Sequence, residues 1–193
     1  MSDFTESFVK HLQTLARHDR GAIAALRRSL GFKPGAYPPA YPAVERFAAQ
    51  GIDNEVRRQA LYLTAGLFAL HPLHGRGQSL AGALGQAMRR RESASIEKRF
   101  IALLAADADS LPNHLRQTVS LIAADGIAID YTQLLDDLGR LLQRWNEEQR
   151  DGVRQRWART FYRTAEPGDR GTAAKPATPA TPATPATPAP TTI

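Results

Sequence analysis

The stretch from residue 130 to residue 145, DYTQLLDDLGRLLQRW, predicts an amphipathic helix whose start is marked by two independent signals. Asp130 and Gln133 have the spacing of a capping box, and Ile129 and Leu134 occupy the two positions of a hydrophobic staple. The apolar residues then recur at helical spacing and form one predicted core stripe: Tyr131, Leu134, Leu135, Leu138, Leu141, Leu142 and Trp145. Such a stripe needs other helices to cover it.

Helical periodicity also extends over most of the chain outside this stretch. The predicted starts are Ser2 or Asp3, Asp19, Val44, Asp53, Ser79, Ser95 and Ser110, and the predicted ends include Gly31, Gln50, His71-Pro72 and Gly126. Buried stripes are predicted at Phe4, Phe8, Leu12 and Leu15, at Ile23, Leu26 and Leu30, at Leu115, Val119 and Ile122, and at Val153, Trp157 and Phe161. Because no segment alternates as a strand does, we predict an all-α protein.

We expect two small helical bundles followed by a disordered tail rich in Pro, Thr and Ala. The boundaries are residues 1–91 for a basic N-terminal bundle, 92–164 for a C-terminal bundle and 165–193 for the tail. From Ala177 the tail reads ATPATPATPATPAPTTI, which has no large apolar side chain before its last residue and favours an extended, solvated conformation. A flexible extension is a simpler interpretation of this repeat than a ligand for a partner domain.

Positive charge is concentrated in the first half of the chain. Residues 1–90 contain twelve Lys or Arg against six Asp or Glu, whereas residues 91–164 contain eleven of each, so the net charge of +6 belongs to the N-terminal half. Most of the cations are arginines, whose guanidinium groups bind phosphate in a bidentate manner. This asymmetry indicates a polyanionic partner.

The composition excludes several classes of protein. The chain has no cysteine, so disulfides, thiol nucleophiles and Cys-ligated zinc are ruled out. The N-terminal sequence MSDFTESFVKHL has acids where a signal peptide carries cations, and no apolar run approaches the roughly 18 residues of a membrane span. We therefore expect a soluble cytoplasmic protein with no membrane partner.

The candidate sites for catalysis are weak. His71 and His74 lie close in sequence, but a metal site needs three or four convergent ligands and their loop supplies no other. Asp136 and Asp137 are neighbours on a predicted helix, where side chains point about 100° apart, so a solvated helix face is the better interpretation of this pair. With no nucleophile elbow and no phosphate-binding loop, we expect a protein that is not an enzyme, with no catalytic residue, metal or cofactor.

Clusters of basic residues are better candidates for a binding site. Four clusters fall on predicted helices or at their ends: Arg27-Arg28, Arg57-Arg58, Arg89-Arg90-Arg91 and Lys98-Arg99. Each cluster taken alone is more often a solvated face than a site, and Arg99 could instead pair with Glu92 or Glu97. Four clusters in one chain nevertheless favour contact with phosphate groups.

Several segments together resemble the CasB family, the small subunits of Cascade, the type I-E CRISPR surveillance complex. They are ALRRSLG, YLTAGLFALHP, SLAGALGQAM, SIEKRFIALLAAD, LPNHLRQTVSLIAADGIAIDYTQLLDDLGRL and RQRWARTFY, and the resemblance spans Phe4 to Tyr162 in the same order and spacing. It does not include the tail. The resemblance implies a non-catalytic, all-helical subunit present in two copies, in contact with the backbone subunits and the large subunit of the complex.

The resemblance also implies a role for basic residues. In the family, basic residues on the inner face help to hold the guide RNA (crRNA), the target DNA strand and the displaced single strand, which stabilises the R-loop. Carried onto this sequence, the candidate nucleic-acid-binding residues are Arg27, Arg28, Arg57, Lys98, Arg99 and Arg116. The alternative that the sequence leaves open is a helical protein-protein adaptor whose basic face meets an acidic partner protein.

Overall fold

Helices make up nearly all of the regular structure. The computed structural model describes residues 3–49 and 55–166. Within these ranges the α-helices are α1 (Asp3–His18), α2 (Arg20–Ser29), α3 (Tyr41–Ala48), α4 (Glu55–Leu70), α5 (Leu80–Arg91), α6 (Ala94–Ala105), α7 (Leu111–Ala124), α8 (Tyr131–Leu141) and α9 (Glu147–Ala165). The described ranges contain no β-strand, only an isolated bridge between His74 and Ile129. The all-α prediction is confirmed.

Three of the predicted helix starts are confirmed by side-chain caps. Asp19 accepts a hydrogen bond from the Ala22 backbone N–H at 2.8 Å, and Ser79 accepts one from Gly82 at 3.0 Å. Asp130 accepts from the backbone N–H groups of Thr132 and Gln133 at 3.0 and 3.2 Å. Each cap supplies an acceptor to N–H groups that have no partner within their own helix. The predicted starts at Ser2 and Asp53 lie outside the described residues.

Other predicted starts differ from the structure. Helix α3 begins at Tyr41, three residues before the predicted start, because Pro42 fits the first turn of a helix. Helix α6 begins at Ala94 after Ser93, so Ser95 lies inside its first turn and does not open it. Ser110 precedes α7 as predicted, but its hydroxyl donates to the Asp107 carboxylate at 2.6 Å and does not cap the helix.

The core is centred on α4. Its residues from Ala60 to Ala69 are all buried, and α4 packs against α2, α3, α7 and α8. Helix α5 packs most extensively against α9, where a Cβ atom added to Gly85 would lie 2.6 Å from the Phe161 carbonyl oxygen. Both predicted halves contribute to one cluster of buried apolar residues. The division of the chain at residue 91 stays a prediction.

Two predictions made from the opening stretch are wrong. Trp145 was predicted as the last member of the core stripe, yet its side chain is 91% exposed because α8 ends at Leu141 and helical spacing no longer applies beyond it. Asp137 was predicted on a solvated face, yet it is buried. Its carboxylate accepts a 2.7 Å hydrogen bond from Trp157 Nε1 and another from Arg156 Nη2, both on α9.

The helices do not have the character of bilayer-spanning segments. Among residues 3–49 and 55–166, none combines the length and the apolar composition that a bilayer crossing requires.

Candidate nucleic-acid interface

An open cleft of about 660 Å³ lies where α5, α6 and α7 meet, and we call it the arginine cleft. Its lining residues are Arg91 at the end of α5, Arg99 on α6, and Asn113, Arg116, Gln117, Ser120 and Leu121 on α7. The five α7 residues follow helical spacing on one face, while Leu115, Val119 and Ile122 are buried on another. The structure therefore brings Arg99 and Arg116 together, although they are seventeen positions apart in the sequence.

The charges in the arginine cleft are of one sign. The residues that line it include three arginines and no carboxylate. Arg91 is paired, since its Nε and Nη2 atoms donate to the Asp125 carboxylate at 2.7 to 3.0 Å, and these hydrogen bonds raise the pKa of Arg91 above its ordinary value. Arg99 and Arg116 are exposed and form no ion pair with any residue that the structure describes. Their guanidinium groups face solvent and are available to an anion.

The acidic residues suggested as alternative partners of Arg99 do not bind it within the described part of the chain. Glu97 accepts a 2.9 Å hydrogen bond from the hydroxyl of Tyr162 instead, and this hydrogen bond raises the pKa of Tyr162. Lys98 is exposed on α6 beside Arg99, but it does not line the arginine cleft.

The remaining candidates lie elsewhere and have different surroundings. Arg27 donates from Nε and Nη2 to the carbonyl oxygen of Ala69 at 3.0 and 2.8 Å, so it satisfies an acceptor at the C-terminal end of α4. Arg28 is exposed, and its side chain has no hydrogen-bond or ion-pair partner among residues 3–49 and 55–166. Arg57 lines a second cleft, of about 470 Å³ between α1, α4 and α8, and its guanidinium carbon lies 4.0 Å from the centroid of the Phe4 ring.

Sequence reasoning missed three polar residues that line the arginine cleft: Asn113, Gln117 and Ser120. Their signal is a spacing of three and four residues along α7: Asn113 and Ser120 lie three before and four after Arg116, and Gln117 has the same spacings from Ser120 and Asn113. Two of them carry side-chain amides, which can donate to an anion beside the arginines. Ser120 instead donates its hydroxyl hydrogen to the Arg116 carbonyl oxygen at 2.8 Å.

The two histidines considered as metal ligands instead form hydrogen bonds with the backbone of a neighbouring segment. His71 Nε2 lies 2.7 Å from the carbonyl oxygen of Ile127, and His74 Nδ1 accepts from the backbone N–H of Tyr131 at 3.2 Å. Asp130, below the same loop, accepts from the backbone N–H of Gly77 at 2.7 Å. These contacts fix the 71–78 loop to the start of α8. No group of three or more potential metal-ligating side chains converges in the part of the chain that the structure describes.

Comparison with known proteins identifies the relatives of this chain. Residues 22–162 match the family model described as CRISPR-associated protein Cse2. The chain is 48% identical over 142 residues to the CRISPR-associated protein Cse2 of Thermus thermophilus, which corresponds to 73% of this chain and 78% of the relative. The crystal structure of CasB from Thermus thermophilus matches with a TM-score of 0.72 and 44% identity, covering 84% of this chain and 99% of that one.

A further structural match is more distant in sequence. A chain of the structure described as a CRISPR RNA-guided surveillance complex, pre-nicking, has a TM-score of 0.72 and 24% identity, covering 84% of this chain and 93% of that one. At this level of identity the match concerns the fold. The fold and the matches together define an all-helical CRISPR-associated protein. The chain belongs to the Cse2 family, and the resemblance to CasB seen in the sequence is confirmed.

Proposed function

We propose that this chain is a non-catalytic subunit of an RNA-guided CRISPR surveillance complex. In this role it contacts the backbones of the guide RNA, the target strand and the displaced strand, and so stabilises the R-loop. Its other partners in the complex are the backbone and large subunits and a second copy of itself. Family membership and the fold shared with a chain of a surveillance complex support this role.

The arginine cleft is the observation that carries the proposal. Arg99 and Arg116 are unpaired within the described residues, Arg91 lies beside them, and no carboxylate lines the cleft. An open, positively charged groove suits a phosphate backbone, which has the same charge whatever the base sequence. Specificity is not required of this surface, since guide–target pairing supplies the sequence information in RNA-guided recognition.

A few such contacts are enough to matter energetically. Replacing a DNA duplex by an RNA–DNA heteroduplex is nearly balanced, so contacts made only in the strand-separated state shift the equilibrium toward the R-loop. Two arginines that each contribute about 1 kcal/mol would change the equilibrium constant for R-loop formation about 30-fold. The proposed role therefore needs no catalytic group.

Binding to single-stranded DNA across a salt series tests the phosphate contacts. The full chain is measured beside Arg99→Ala, Arg116→Ala and the double variant, between about 50 and 200 mM salt. Each substitution should weaken binding about 5-fold and reduce the slope of log affinity against log salt by about 0.7. Arg17→Ala removes an exposed arginine of α1 outside the cleft and is the matched control for net charge. A double variant with wild-type affinity and slope would contradict the proposal.

Assembly with cognate subunits separates complex membership from phosphate contact. The chain is expressed with the other subunits and a guide RNA, and R-loop formation by the purified complex is measured. The Arg99→Ala, Arg116→Ala double variant should still enter the complex but form R-loops less readily. A variant complex that forms R-loops as the wild type does would favour the adaptor alternative, and failure of the wild-type chain to enter would refute membership.

A further inference from the structure

An exposed aromatic pair follows α2. The side chain of Phe32 is 53% exposed, although phenylalanine is among the residues most often buried. Its ring stacks on Tyr37, with centroids 4.7 Å apart and an interplanar angle of 22°. Tyr37 in turn packs against the core cluster. One side of the Phe32 ring is thus supported by the protein while about half of the side chain meets solvent.

The turn that carries Phe32 is held by backbone hydrogen bonds. The N–H of Phe32 donates to the Ser29 carbonyl at 3.0 Å, and the N–H of Ala36 donates to the Lys33 carbonyl at 2.9 Å. Pro34 adds a fixed backbone dihedral angle in the same turn. The aromatic pair is therefore pre-organised, so that a ligand stacking on Phe32 would order little additional structure.

The sequence around the pair is positively charged. Residues 20–44 contain four Lys or Arg and no Asp or Glu. Two of these cations, Arg28 and Lys33, are exposed and lie within four positions of Phe32. An exposed aromatic ring among unopposed cations matches the chemistry of a nucleotide, which offers an aromatic base and a phosphate.

The pair also adjoins the arginine cleft. A small crevice is lined by Phe32 and Leu30 on one side and by Pro112 of α7 on the other. The next residue, Asn113, lines the arginine cleft. A strand whose phosphates follow the cleft would therefore reach the aromatic pair at the N-terminal end of α7.

We propose that the Phe32–Tyr37 pair is a stacking platform for an unpaired nucleobase of a single strand. The phosphates of that strand lie along the arginine cleft, and Arg28 and Lys33 contact the phosphates beside the stacked base. This inference rests on the proposed nucleic-acid function and adds a contact with a base to a surface otherwise suited to backbones. Stacking of this kind is tolerant of sequence because every base has an aromatic face.

The test separates the base from the backbone. The full-length chain is titrated with a single strand that carries bases and with an abasic strand of the same length, each prepared as DNA and as RNA because both present aromatic bases. Phe32→Leu keeps an apolar side chain but removes the ring. It should bind the base-carrying strand about 10-fold more weakly than wild type, and bind the abasic strand as wild type does. The salt dependence of binding should not change, because no phosphate contact is lost.

Two controls accompany the titration. Phe32→Tyr keeps the ring and should retain wild-type affinity, whereas Trp145→Ala, which removes another exposed aromatic side chain, should leave affinity unchanged. A strand containing 2-aminopurine reports stacking directly, since its fluorescence should be quenched more strongly on wild type than on Phe32→Leu. Thermal melting shows that each variant is folded.

The results distinguish this inference from the proposed function. If wild type binds base-carrying and abasic strands equally, with affinity that falls as salt rises, the platform is refuted and the phosphate contacts stand. If Phe32→Leu binds every strand with wild-type affinity, the aromatic pair contacts something else, such as a partner protein, and the inference fails. A wild-type chain that binds neither strand overturns both proposals.

Discussion

Replacing Asp137 by alanine is expected to lower the free energy of unfolding by about 3 kcal/mol. The Asp137 carboxylate joins α8 to α9: it accepts a 2.7 Å hydrogen bond from Trp157 Nε1 and a second one from Arg156 Nη2, and Arg140 Nη1 lies 3.7 Å away. The Asp137 side chain is 3% exposed. A group so placed cannot exchange its partners for water without opening the contact between the two helices.

The magnitude follows from what each partner would lose. Trp157 is buried, so its indole N–H would be left without its acceptor, at a cost of about 1–3 kcal/mol. The Arg156 side chain is 43% exposed and can turn to water, so its loss is limited to about 1 kcal/mol. The sum is about 2–4 kcal/mol. For a chain of this size, that corresponds to a fall in Tm of about 6–12 °C at a midpoint cost of about 3 kcal/mol.

Two further variants identify the cause. Asp137→Asn retains an oxygen that can accept from Trp157. Burial raises the pKa of Asp137, which means that the site disfavours the charged form. We therefore expect this variant to lose about 1 kcal/mol of the free energy of unfolding. Trp157→Phe removes the donor, so Asp137→Ala should cost less in that background than in wild type. Urea denaturation followed by circular dichroism measures the free energy of unfolding of wild type, of the three single variants and of the Asp137→Ala, Trp157→Phe double variant. Equal stability of the Ala and Asn variants, both within about 0.5 kcal/mol of wild type, would refute the reasoning.

The remaining predictions concern Gly85 and Asp130. Gly85→Ala should destabilise the chain by about 1–3 kcal/mol in a thermal melt, because the new Cβ atom would lie 2.6 Å from the Phe161 carbonyl oxygen of α9. Gly152→Ala, with nothing within 4 Å, is the matched control and should be neutral or stabilising; if both variants behaved alike, close helix packing would not be the cause. At Asp130, burial raises the pKa, but hydrogen bonds from Thr132, Gly77 and Gln133 outweigh it and hold the pKa below the ordinary value of 3.8. The stabilisation from this group is therefore present above that value and lost as the pH falls below it, so Asp130→Asn should lose less Tm than wild type between about pH 5 and pH 3. A steeper acid loss in the variant would contradict this sign.

The helix starts at Asp19, Ser79 and Asp130 were predictable because donor and acceptor lie within three residues of each other. Asp19 and Asp130 cap as their sequence contexts indicate. The environment of Asp137 was not predictable in the same way, since its partners on α9 lie about twenty positions away and meet it only through the packing of α8 on α9. Trp145 was predicted to be buried but is exposed. A periodic pattern shows which face a residue would occupy if the helix continued, but it does not show where the helix ends.

The candidate site was predictable only in part, for a physical reason. An arginine in a sequence offers five N–H donors, and nothing local shows which acceptor they meet. Arg27 meets a backbone carbonyl at the end of α4, and Arg57 lies over the ring of Phe4, whereas Arg99 and Arg116 converge on one cleft. The sequence shows all four residues only as cations: Arg27, Arg57 and Arg99 belong to basic clusters, and Arg116 is named through the family resemblance. Only the packing of the helices shows that Arg27 and Arg57 contact other parts of the protein, whereas Arg99 and Arg116 face solvent.

The net charges of the two halves of the chain also predict the wrong location for the positively charged cleft. Residues 91–164 have no net charge, yet every residue that lines the arginine cleft lies in this half. The count is misleading because the acids are not equally exposed: Asp130 and Asp137 are buried, and Asp125 is paired with Arg91. A carboxylate in an ion pair is offset by its own cation, and none of these three acids lines the cleft, so Arg99 and Arg116 face no acid there. A neutral segment can therefore present a positive groove when its fold places its acids in the interior or in ion pairs.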